Sequence, residues 1–124
     1  MPDVKRLQKL IERLTMMSES NNVPWAETSE ERTFQASLQQ FTVTVELEHV
    51  GQNWGEDIYR YVVRIHDNVG KLLDEVTERD FPDNSSFAGG TKAHDALKNL
   101  YDLARRKALK VDEQLDNLLA SLDR

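Results

Sequence analysis

The chain has 124 residues, 22 acidic and 16 basic side chains, a formal net charge of −6 and no cysteine. That length suits one domain with a modest core, and the missing cysteines exclude disulfides and thiolate chemistry. The acidic balance argues against a duplex-binding face, since such a face is usually basic.

Nothing between Met1 and Arg6 has the apolar core of a signal peptide, and no run of about 18 apolar residues occurs. A soluble, cytoplasmic protein with no membrane partner is expected. Asp3 is placed to cap a first helix over residues 3–17, and Pro2 cannot extend it backward. Val4, Leu7, Leu10, Ile11, Leu14 and Met17 line one face, with Lys5, Arg6, Lys9, Glu12 and Arg13 outside it. The run Ser18–Asn22 ends that helix, because short polar side chains compete for the backbone. Val23-Pro24-Trp25 reads as extended, with Trp25 plugging an edge of the core in preference to stacking on a ligand.

Alternation of period two begins near Phe34 and defines a strand at about 33–38, with a tight turn at Gln39-Gln40. A second strand, 41–49, sends Phe41, Val43, Val45 and Leu47 inward and Thr42, Thr44, Glu46 and Glu48 outward. Gly51–Glu56 reads as a loop. A third strand, 57–66, sets Tyr59, Tyr61, Val63 and Ile65 against Arg60 and Arg64. Asp67–Gly70 turns the chain, with Asn68 and Gly70 best able to take positive φ. The fourth strand, 71–76, carries Asp74 and Glu75 as an edge strand would. Thr77–Asp80 has room for one helical turn. The irregular stretch 81–90 follows, and Thr91 is placed to cap a final helix over 92–122.

In that last segment Leu97, Tyr101, Ala104, Ala108, Val111, Leu115, Leu118 and Leu122 recur in steps of four and three, the mark of a heptad seam. Leu100 and Leu103 widen the stripe in its first half, which suits packing on a sheet; the second half is narrower. Unbroken, the helix would run roughly 46 Å at about 1.5 Å per residue. A nine-residue strand spans only about 30 Å. One sheet face cannot cover such a seam. Either the helix breaks near residues 109–111, or its last turns project and need cover from the first helix or another subunit.

Chemistry is sparse. His49, His66 and His94 lack metal-ligand spacing, and no nucleophile motif, P-loop or dinucleotide fingerprint is present. No catalytic residue, metal or cofactor is expected. Gly89, Gly90, Thr91 and Lys92, feeding a helix start, could hold an anion, though a flexible linker with an N-cap explains the same residues. The cluster Arg105, Arg106, Lys107 and Lys110 precedes Asp112, Glu113 and Asp116. This is either a solvated face with pairs such as Asp102–Arg106, or a self-complementary contact across a twofold axis. Trp54, in its glycine-flanked loop, is either a contact residue or folded over the sheet edge.

Trp25-Ala26-Glu27-Thr28, Thr33–Ser37 and Leu100–Ala108 followed by Val111-Asp112-Glu113 resemble segments of a group of small uncharacterised bacterial proteins. The resemblance spans most of the chain and implies an order of helix, strand meander and C-terminal helices, with no activity attached. Those relatives tend to carry Gly where this chain has Lys110, which would favour two helical segments.

These readings converge on a single α+β domain. It is a four-stranded antiparallel meander with the N-terminal helix and the C-terminal helical region over one face. The expected role is a non-enzymatic interaction module. It would form a homodimer through Val111, Leu115, Leu118, Leu119 and Leu122, with Trp54 as a further contact. The alternative is a binder of small anionic ligands at Gly89–Lys92.

Overall fold

A computed structural model describes residues 3–123; the expectation for Pro2 lies outside them. Helix α1 spans Val4–Glu19, two residues beyond the expected end, and the Asp3 carboxylate accepts a hydrogen bond from the Arg6 N–H at 3.2 Å. The strands are β1 (Ala26–Glu27), β2 (Thr33–Leu38), β3 (Phe41–Asn53), β4 (Glu56–Asp67) and β5 (Leu72–Val76). Single 3₁₀ turns follow at Glu78–Asp80 and Ala88–Gly90, and then helices α2 (Ala93–Ala108) and α3 (Val111–Leu122).

The sheet is antiparallel throughout, in the order β1-β2-β3-β4-β5. Among the described residues it has five strands, where the alternation pattern showed four. Ala26 and Glu27 pair with Gln35 and Phe34, and two residues are too few to display a period. The expected loop at Gly51–Glu56 is also corrected. Strands β3 and β4 continue pairing to Asn53 and Glu56, so only Trp54 and Gly55 turn, both with positive φ. A bulge between His49 and Gly51 lets the ladder resume after the alternation is lost.

Inward-facing Phe34, Ala36, Val43, Val45, Val63 and Val76 form one wall of the core. Helix α2 lies across them, touching β1 to β4, and supplies Leu97, Leu100, Tyr101 and Ala104. Small Ala104, fully buried, allows the helix to approach the sheet closely. Helix α1 packs beside α2 and closes the core with Leu7, Ile11 and Leu14. Trp25 is buried as expected, its indole N–H donating to Ser18 Oγ at 2.8 Å.

The long C-terminal helix is interrupted. Leu109 ends α2, and Lys110 adopts the left-handed conformation (φ 53°, ψ 46°) before α3 begins. A residue in that conformation reverses the backbone dipoles locally and stops the i→i−4 ladder. Thr91 is not the cap: Lys92 occupies that position, and the Thr91 hydroxyl instead donates to the Ala88 carbonyl at 3.3 Å. The C-terminal helical region is therefore divided in its packing. Helix α2 covers the sheet, while α3 leans on the end of α2.

Candidate functional site

The surface that stands out begins with α3. Its positions 111, 115, 118 and 122 fall in a narrow arc at 100° per residue, and Leu119 borders them. None of its residues is buried, and Leu115, Leu118, Leu119 and Leu122 are between 47% and 71% exposed. All five residues expected at the C-terminal contact thus lie on one helix, four of them as an open leucine stripe. Aspartates 112 and 116 run along one margin of that stripe, beside Leu119.

The second exposed feature is an arm. Strands β3 and β4 outrun their neighbours, so residues beyond His49 and before Tyr59 form a two-stranded ribbon. Trp54 sits at its tip, 95% exposed, with φ of 54°. It does not fold back over the sheet edge. Val50 and Ile58 are also exposed along the ribbon. At its base the Arg32 guanidinium lies 4.9 Å from the centre of the Tyr59 ring, a cation–π contact. His49 joins the same group, 3.1 Å from Asp57 and edge-on to Tyr59. The Gln52 amide and His49 hold the Asp57 carboxyl below its ordinary range.

The outer sheet face is a charged grid. Arg64 reaches Glu46 at 2.5 Å, Glu48 at 2.6 Å and Glu75 at 3.3 Å; Arg60 reaches Glu48 at 2.7 Å. Burial works against the Arg64 charge, but the three glutamates outweigh it and raise its pKa. The Arg64 hydrogen bond, helped by Arg60, holds the Glu48 carboxyl low despite partial burial. Val62 lies between the arginines on this face and is only 1% exposed. The alternation placed these residues outward, but nothing in it showed that they form one network.

His66 lies within β4, and His94, on α2, is 3.6 Å from Glu78 and edge-on to Tyr61. Among the described residues no three His, Asp or Glu side chains gather at metal-binding distance. At the expected anion loop, Gly89 and Gly90 do take positive φ, but the Gly90 N–H bonds to the Phe87 carbonyl. With the Thr91 hydroxyl also engaged, two of the donors an anion would need are committed within the loop. Of the expected helix-surface pairs, Asp102 binds Lys98 rather than Arg106, and Arg106 reaches across the break to Asp112 at 2.7 Å.

No helix among the described residues is long and apolar enough to cross a membrane. The chain matches no protein-family model, no curated protein and no solved structure.

Proposed function

We propose that this protein is a non-enzymatic interaction module that self-associates through α3. The observation that carries the reading is the leucine stripe on a helix with no buried residue. A twelve-residue helix is marginal in water by itself, and most helices gain their stability by packing an apolar face. Covering four half-exposed leucines contributes about 1 kcal/mol each, and a twofold contact covers two such stripes against the cost of association. Trp54, presented on a ribbon that holds no part of the core, supplies a second contact of the kind that dominates interfaces.

Light scattering tests the reading. The expected mass is twice the 14.3 kDa of one chain, and Leu115→Glu with Leu122→Glu halves it. Both residues are exposed, so these changes leave the fold intact. A wild-type mass of one chain throughout the micromolar range would end the proposal.

A further inference from the structure

The groove between α1 and α2 has a volume of about 580 Å³ and lies open to solvent along α1. Ile11, Phe87 and Ala96 form an apolar floor, and Thr15, Met16 and Asn99 form the walls. The segment of α1 lining it runs from Lys9 to Glu19. At about 1.5 Å per residue that is roughly 17 Å of helix, and twelve-residue α3 measures about 18 Å. A short amphipathic helix fits this seat.

Charge selects the occupant. Helix α1 carries Lys5, Arg6, Lys9 and Arg13 against Glu12 and Glu19, whereas α3 carries Asp112, Glu113 and Asp116 and no basic residue. Lys9 and Arg13 border the groove and Lys5 continues their exposed row one turn earlier, at i, i+4, i+8 spacing, none with an ion-pair partner among the described residues. Asp116 likewise has no such partner there. The wall's own acids are partly accounted for. Glu12 accepts hydrogen bonds from the Gln8 amide and the Ala88 N–H, and Glu19 lies at the end of α1. Setting α3 against a second α3 would bring Asp116 to Asp116 with no basic residue supplied by either helix. Seating it beside α1 brings its aspartate margin to the basic row.

From this we infer that α3 of one copy occupies the α1–α2 groove of a second copy, and reciprocally, in a twofold pair. The inference rests on self-association through α3 and names where that helix docks.

The chain has no cysteine, so single thiols can be placed freely. Met16→Cys and Leu119→Cys, both at exposed positions, are made separately, mixed, allowed to exchange, and treated with a short bismaleimide. The expected result is a covalent dimer in the mixture roughly tenfold above either variant alone, since docking holds the thiols at millimolar effective concentration. Linking of Leu119→Cys with itself, and no gain in the mixture, would show α3 lying on α3. That outcome overturns the groove while leaving self-association standing; a monomeric mass for the wild type overturns both. Charge reversal gives an independent reading. Lys9→Glu with Arg13→Glu weakens the dimer about tenfold, and adding Asp116→Lys, at the margin acid that makes no ion pair among the described residues, restores most of it. Unchanged affinity in the first of these variants counts against the groove.

Discussion

Ser18 is fully buried, and its hydroxyl donates to the Leu14 carbonyl at 2.6 Å while accepting the Trp25 indole N–H at 2.8 Å. One oxygen therefore ties the end of α1 to the segment that enters the sheet. Removing it in Ser18→Ala strands a buried donor, and a loss of about 1–2 kcal/mol in urea unfolding is expected. Ser18→Ala added to Trp25→Phe should lose less than the two single changes combined, because the donor is then gone as well. The grid on the outer sheet face responds to acid. Glu48 has its carboxyl held below the ordinary value of 4.5 by Arg64 first and Arg60 next. As pH falls, the unfolded chain takes up this proton before the native one does, so the contribution is complete above about pH 4.5 and disappears below it. Glu48→Gln should cost about 1 kcal/mol at neutral pH and flatten the fall in stability between pH 4.5 and the native titration, as urea midpoints against pH would show.

At the scale of elements, the joint between α2 and α3 is the informative one. Lys110 holds a left-handed backbone that residues with a Cβ adopt at a cost of roughly 1 kcal/mol. Lys110→Gly should raise the melting temperature by a few degrees, whereas Lys110→Ala should not. The heptad seam across this joint has no Gly or Pro, so the break was open to two readings in the residues alone. Helix α1, the hairpin β2–β3 and the edge position of β5 were legible, because period and caps agree there. The two-residue β1 and the far half of the β3–β4 ribbon were not. Pairing in β1 is set by its neighbour Phe34, and the bulge after His49 shifts the alternation that would have exposed the ribbon. The leucines of α3 were legible as residues needing cover, but the groove opposite them was not. Its floor comes from Ile11, Phe87 and Ala96, which are far apart in the chain and individually read as ordinary core.

For the whole molecule, packing is uneven. The sheet, α1 and α2 share one core, while α3 contributes nothing buried to it. Amide exchange should therefore divide the protein in two. Core amides of β3, β4 and α2 should be slow at every concentration. Those of α3 should be fast in dilute solution and become protected about tenfold or more as the concentration rises through the dimer dissociation constant. Protection of α3 that ignores concentration would show that the helix is held within its own chain.

The ribbon ending in Trp54-Gly55 draws its hydrogen bonds from its own two strands, and both turn residues already have backbone angles suited to a reversal. A peptide spliced between them would lengthen a stalk without disturbing any buried side chain. A fluorophore grafted there would sit beside Trp54 and report by its emission when a partner covers the tip, leaving both ends of the polypeptide untouched.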